Sequence, residues 1–296
     1  MQNRNLEIFA LIGFIFTLKK TLNVSKFIKK YFLTKTKNFN SIYGNNNCWV
    51  LITGSSQGIG KSFAKAFAKE NCNLLLTSRD STKLENVKEE IKIINPNIKV
   101  EYFPFDFSQI NEKVNELQEI LNKYEINILI NNVGITKFGQ IEHLTHTNIV
   151  SMINTNLISS TVLSKLVVDK IKTRNHKSLI VTSGSDLTLY TPPYTQVYTG
   201  TKDYLKAFML CLSQENEKLD ITYLNIGPVY TPTNYRKIPF KLESDDYVSH
   251  AMTQLGNYKI SHGHYLHALK YKIFGNDLIM NLYTRRSLNK EFSKHL

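Results

Sequence analysis

Trp49-Val50-Leu51-Ile52-Thr53-Gly54-Ser55-Ser56-Gln57-Gly58-Ile59-Gly60-Lys61 is the stretch on which the fold turns. An apolar, β-rich run passes directly into a turn with three glycines, and helical spacing begins at once afterwards. Glycines let a backbone turn tightly and approach a pyrophosphate closely. The first turn of a helix then offers free N–H groups and the positive end of its dipole. Placed between a first strand and a first helix, the motif predicts a dinucleotide site formed by Gly54, Ser56, Gly58, Ile59 and Gly60.

The same alternation continues outward. Short β-branched runs at 49–53, 73–78, 99–103, 126–131, 178–182 and 221–225 read as strands, with helical stretches at 61–69, 82–94, 112–123, 147–172 and 198–218 between them. Six strands with intervening helices predict an α/β fold, a doubly wound, Rossmann-like parallel sheet. Beyond Asn225 the alternation fails, and 228–296 reads as a helical cap over the sheet's carboxyl edge, where such folds bind ligands.

Upstream, 8–18 is an apolar run followed by Lys19, Lys20, Lys26, Lys29 and Lys30. It is shorter than the ~20 residues a spanning helix needs. Two lysines stand where a signal peptide would place small residues before cleavage. It therefore reads as an interfacial or signal-anchor helix, with the basic residues on the cytosolic side. The expected division is an anchor and basic linker at 1–44 and one catalytic domain at 45–296, with Asn45, Asn46 and Asn47 as a hinge.

Lys and Arg number 37 against 24 Asp and Glu, and no acidic residue lies between Glu7 and Glu70, so the basic excess is concentrated in the N-terminal arm. The lysines stand beside an apolar segment rather than among exposed stacking aromatics, which argues against nucleic acid as a partner. Cys48, Cys72 and Cys211 are scattered singly, with neither metal-ligand spacing nor a disulfide framework; no metal is expected, and a reducing compartment is.

Two further features carry chemistry. At the second strand's end stands Thr77-Ser78-Arg79-Asp80. Serine replaces the acid that would hold an NAD ribose, and the fork of Arg79 suits a 2′-phosphate, so NADP(H) is the expected cofactor. The alternative is a surface pair between Arg79 and Asp80. Tyr198 and Lys202, four residues apart in a helical stretch, share one face. An ammonium there would favour the phenolate and bring proton exchange toward neutral pH, letting Tyr198 protonate a carbonyl as hydride arrives. Ser185, at a strand end, can hold the carbonyl oxygen, and Asn156, an amide in an apolar helix, needs partners of its own.

In order and spacing these motifs resemble the short-chain dehydrogenase/reductase family, from about Cys48 to Thr231. Its glycine motif matches Thr53 to Gly60, its Asn-Asn-x-Gly element matches Asn131 to Gly134, and its Asn, Ser, Tyr and Lys tetrad matches Asn156, Ser185, Tyr198 and Lys202. The resemblance implies that Tyr198 is the general acid, that Lys202 binds the nicotinamide ribose and lowers the phenol's pKa, that Ser185 positions the carbonyl, and that Asn156 anchors a relay water. It further implies that Asp106 contacts the adenine, that Asn132 supports the cofactor, and that Val229 and Thr231 meet the carboxamide. Ile226 stands where the family has a proline.

Val133, the Pro192-Pro193 pair and Gly263-His264-Tyr265-Leu266-His267-Ala268-Leu269 are similar to the branch of very-long-chain 3-oxoacyl-CoA reductases and 17β-hydroxysteroid dehydrogenases. That branch implies NADPH-dependent reduction of a 3-oxoacyl-CoA in fatty-acid elongation at the endoplasmic reticulum membrane, with the catalytic domain facing the cytosol. The substrate would be a lipophilic carbonyl compound, and a homodimer is compatible with the pattern. Tyr265, Phe274, Tyr283, Arg285 and Arg286 would suit an acyl chain bearing phosphates. The tail Ser293-Lys294-His295-Leu296 lacks the branch's dilysine signal. The rival readings are a steroid or retinoid dehydrogenase on the same scaffold and, more remotely, a non-catalytic or nucleic-acid-binding protein.

Overall fold

A computed structural model describes residues 2–171, 174–232, 240–274 and 286. Lys172, Tyr283, Arg285, the side chain of Phe274 and the 293–296 tail lie outside the described residues.

Helix α1 (Gln2–Ile28) opens the chain and passes through a π-helical turn at Lys29–Leu33 to the short α2 (Phe39–Gly44). Then come β1 (Trp49–Thr53), α3 (Gly58–Lys69), β2 (Asn73–Ser78), α4 (Ser81–Ile94), β3 (Val100–Pro104), α5 (Ile110–Asn122) and β4 (Ile126–Asn131). After β4 follow α6 (His146–Met152), α7 (Ser159–Ile171), β5 (Ser178–Ser183), α8 (Gln196–Glu215) and β6 (Leu219–Leu224). The short pieces β7 (Val229–Tyr230), β8 (Leu242–Glu243), α9 (Ser244–Met252), β9 (Ile260–Ser261) and α10 (Tyr265–Phe274) close the described chain.

The main sheet is parallel, in the order β3-β2-β1-β4-β5-β6-β9. The doubly wound fold expected from the sequence is therefore present, with a seventh strand added at one edge. Its central strands are buried along their whole length, which is why they read as unbroken apolar runs. Successive side chains point to opposite faces: Val50 and Ile52 join Phe63, Phe67, Leu84 and Tyr247 on one side, while Leu51 joins Leu117, Leu163 and Met209 on the other.

Two departures are instructive. The single helix expected over 147–172 is instead α6 and α7 joined by a π-helical turn at Ile153–Ile158. Three polar residues, Asn154, Thr155 and Asn156, are buried in that turn, and two of them find partners on neighbouring loops: Asn154 Nδ2 donates to the Ser108 carbonyl at 2.9 Å, and Asn156 binds Ile135. The N-terminal helix also runs far beyond the apolar 8–18 run. Glu7–Leu33 is long and apolar enough to cross a membrane, and its large side chains, such as Phe9, Phe14 and Phe16, are exposed.

Below that helix the chain is bonded to the sheet domain. Lys30 Nζ donates to the Ile260 carbonyl at 2.7 Å, Gln254 Nε2 donates to the Lys30 carbonyl at 2.8 Å, and Thr34 and Tyr258 share a hydrogen bond at 2.9 Å. Phe39 and Tyr43 are fully buried in the core, contributing about 1.5–3 kcal/mol each.

Candidate active site

The sheet order reverses between β1 and β4, and the crevice there is where open α/β folds take ligands. Gly54 and Gly58 have φ of +65° and +56°, the left-handed region that glycine adopts without strain. A Cβ on Gly60 would overlap the Gly54 carbonyl oxygen, so only glycine allows α3 to start this close to β1. Asn132 braces the turn: its Nδ2 donates to the Thr53 and Gly54 carbonyls at 3.0 and 3.3 Å, and its Oδ1 accepts from Ser183 Oγ at 3.2 Å. One amide thus ties the ends of β1, β4 and β5 together. The cradle, open at the N-terminus of α3, fits a pyrophosphate. Ser56 and Ile59 are half-buried on it, and Thr231 lies across from Gly58, where a Cβ would come within 3.0 Å of Thr231 Cγ2.

Arg79 is exposed at the end of β2. Asp80 does not pair with it. Instead the carboxylate caps α4, accepting from Lys83 N at 3.0 Å with Lys83 Nζ 3.2 Å away, and these bonds hold its pKa down. Asp106, at the end of β3, accepts from Ser108 N at 3.0 Å and is half-buried. Val229 is buried in β7. Ile226 uses the N–H that a proline lacks, donating to the Leu224 carbonyl at 2.9 Å, so the turn is held by a different bond.

Ser185, Tyr198, Lys202 and Asn156 converge at the carboxyl ends of β4 and β5. Lys202 is buried, its Nζ donating to the Ser183 carbonyl at 2.7 Å and lying 5.9 Å from the centre of the Tyr198 ring. Asn156 Oδ1 accepts from Ile135 N at 2.8 Å, and its Nδ2 donates to the Ile135 carbonyl at 2.9 Å, so the amide holds the loop after β4. A Cβ on Gly134 would lie 3.5 Å from both Asn156 Oδ1 and Lys202 Nζ; glycine keeps the way between them open. Ser185 caps a short 3-10 turn, accepting from Leu187 N at 3.2 Å.

The electrostatics differ from the expectation that a neighbouring ammonium lowers the phenol. In the ligand-free protein, burial pushes Tyr198 up to about 12, with the Ser185 hydroxyl opposing the rise and the Asp186 carboxylate adding to it. Burial likewise lowers Lys202 to about 8, because its ammonium has a carbonyl but no carboxylate beside it. Lys202 nevertheless remains mostly protonated at neutral pH. A phenol this high is fully protonated at neutral pH, the state a proton donor requires.

Several residues at the site had no signal in the sequence. Tyr223 OH donates to the Lys202 carbonyl at 2.8 Å, and Gly184 is glycine because a Cβ there would run into the Tyr223 ring. Thr201 Oγ1 lies 3.4 Å from Asn156 Nδ2. Farther out, Asp246, His250 and His264 come together, with ligand atoms within 4.8 Å of one another. His264 Nδ1 accepts from Leu266 N at 3.1 Å, which leaves its proton on Nε2, facing Asp246 Oδ2 at 3.6 Å. That is a hydrogen-bonding imidazole, whereas a ligating one donates from its second nitrogen.

Residues 48–241 match the short chain dehydrogenase family. A very-long-chain 3-oxoacyl-CoA reductase-like protein of Arabidopsis thaliana is 31% identical over 235 residues, covering 77% of this chain and 73% of that one. A putative steroid dehydrogenase of Caenorhabditis elegans is 31% identical over 238 residues, covering 75% and 73%. Among solved structures, a short-chain dehydrogenase from Sphingobium yanoikuyae in complex with NADPH shares the fold with a TM-score of 0.63 at 23% identity, over 67% of this chain and 80% of that one. The match begins one residue before β1 and takes in the glycine cradle and all four converging side chains, so the chain belongs to the short-chain dehydrogenase family of oxidoreductases.

Proposed function

We propose that this protein is a membrane-associated, NADP(H)-dependent ketoreductase that reduces a 3-oxoacyl-CoA to the 3-hydroxyacyl-CoA. The observation that carries this reading is the convergence of Ser185, Tyr198 and Lys202 beside a glycine cradle whose nearest second-strand cation, Arg79, is left unpaired by Asp80. When bound, the dinucleotide supplies hydride; the chain's own groups do the rest. The cradle at Gly54, Gly58 and Gly60 takes the pyrophosphate and Arg79 the 2′-phosphate, with Asp106 beside the adenine and Val229 and Thr231 beside the carboxamide. Ser185 Oγ and the Tyr198 hydroxyl hold the substrate oxygen, and Tyr198 gives it a proton as negative charge develops. Lys202 holds the ribose and keeps a positive charge near the phenol, and Asn156 keeps the loop after β4 in register with α8.

The substrate class is supported by the 31% identical plant relative and by the long N-terminal helix, which suits lipid-borne substrates. Residence in the endoplasmic reticulum membrane with a cytosolic domain belongs to the same proposal, with the anchor ending near Ile28 rather than at residue 44, since Lys30, Lys37, Phe39 and Tyr43 are bonded or buried against the domain. A steroid substrate is the second reading, favoured by the nematode relative's name. The test is NADPH oxidation by the purified full-length protein with a 3-oxoacyl-CoA series and a ketosteroid series. Turnover of the first alone upholds the proposal, and turnover of ketosteroids alone replaces it.

A further inference from the structure

Asp186 and Lys270 lie 84 residues apart in the chain, yet their side chains meet at 2.9 Å and are each only 11% exposed. A buried ion pair is expensive to desolvate, and apolar residues of similar volume often stabilise a fold as well, so stability alone does not account for it. Its placement is more informative. Asp186 directly follows Ser185, and its N–H donates to the Ile226 carbonyl at 2.9 Å. Three residues before Lys270, on the same face of α10, His267 Nδ1 accepts from Gly227 N at 3.2 Å while its Nε2 lies 3.2 Å from the Pro228 carbonyl. One face of α10 therefore grips both the Ser185 loop and the turn after β6.

Among the described residues, the groups facing the Tyr198 phenol are few. Lys202 stands one turn along α8, Ser185 and Asp186 lie beyond β5, Tyr223 reaches in from β6, and Phe138 packs edge-on at 5.9 Å. Asp186 is the one carboxylate among them. Around Asp186 itself stand Lys270, Tyr190, Tyr247 and His262. The Tyr190 and Tyr247 hydroxyls and His262 Nδ1 are buried without a hydrogen-bond partner among the described residues, so Lys270 is the only cation paired with this carboxylate there.

We propose that Asp186 is a positioning residue for the reduction: held by Lys270 on α10, its carboxylate bears on the Tyr198 phenol beside Ser185 and keeps the proton there until a carbonyl takes it. The role rests on the proposed ketoreductase reading. Lys270 tempers the carboxylate, so the C-terminal helix sets how strongly the phenol holds its proton. The Coulomb effect of Asp186 on Tyr198 points the same way.

The two partners must then act in opposite senses. Site-specific Tyr198→3,5-difluorotyrosine makes the phenol more acidic and gives it a single fluorine signal whose shift can be followed against pH. In that background Asp186→Asn should lower the titration midpoint by about one pH unit, because a negative charge is lost. Lys270→Met should raise it, because the same charge is uncovered. The double variant should return close to the starting value, and an undisplaced fluorine signal at low pH verifies that each protein is folded. A pair acting only as a latch would be broken equally by either change; midpoints that move together, or not at all, overturn the proposal. The titration needs no turnover, so an unchanged protein that fails to reduce any 3-oxoacyl-CoA counts against the proposed function and leaves this result standing.

Discussion

Gly60→Ala is the sharpest test of the glycine cradle. The added carbon would overlap the Gly54 carbonyl oxygen and stand 2.7 Å from Asn132 Nδ2 and 2.8 Å from the Gly54 carbonyl carbon. Two of these obstacles are backbone, so the start of α3 must recede or the turn must shift. Overpacking of this kind costs about 1–3 kcal/mol. The shift also breaks the Asn132 bonds to the Thr53 and Gly54 carbonyls at 3.0 and 3.3 Å, at about 1 kcal/mol each. The total is about 3–5 kcal/mol, or a fall in Tm of about 6–20 °C for a domain of this size. Gly200→Ala is the matched control. It lies exposed inside α8 with nothing within 4 Å of the new carbon, and should gain about 1 kcal/mol of helix propensity. Melting curves followed by circular dichroism, with and without NADPH, read both. A Gly60→Ala protein that melts within about 2 °C of the native chain and binds NADPH as tightly would refute the close-approach argument.

Tyr198→Phe keeps the ring but removes the transferable proton; reduction should fall by at least about 100-fold while NADPH binding, measured by fluorescence, is unchanged. Arg79→Ala should weaken NADPH binding by about 10–100-fold and leave NADH binding unaltered, and equal losses for both would discard the phosphate-reading role. Lys202 has a folded pKa of about 8 against 10.5 unfolded, so the unfolded chain binds the extra proton between those values and stability rises with pH across that window. The Tm of the native protein should accordingly gain on that of Lys202→Met as pH rises from about 8 toward 10.5; a constant difference would contradict the buried-ammonium assignment. Deleting residues 1–28 should release the protein from membranes with its Tm intact. Extending the cut through Lys37 should lower Tm, because Lys37 also bonds the Gly256 carbonyl at 2.7 Å and Asp220 at 3.2 Å.

The centre of the sheet was legible because β1, β4 and β5 are buried on both faces and so write themselves as apolar runs, whereas β3, with Glu101 exposed, was legible only from its place in the strand–helix alternation. β9 was not: it has two residues, Ile260 and Ser261, and exists through long-range bonds such as Asn225 N to the Ser261 carbonyl at 2.7 Å. The length of α1 was hidden by its threonines and lysines. Thr17 and Thr21 turn their hydroxyls back to the carbonyls four residues earlier, so they interrupt the apolar run but not the helix. That Tyr198 and Lys202 lie together could be read from spacing, because they share one helical face, while Asn156 and Ser185 were joined to them only by the family resemblance. The proton affinities of Tyr198 and Lys202 could not, since those follow from burial and from Asp186, whose partner lies on a helix 84 residues away.

The bonds from Lys30 and Thr34 to the segment at 254–260 make the long apolar helix a mast rather than a leash. A domain hung on a slack tether tumbles and samples every heading. Here the mast is stepped into the edge strand, so its tilt and rotation are passed to the rigid body below, and the pocket mouth keeps one bearing relative to whatever surface holds the mast.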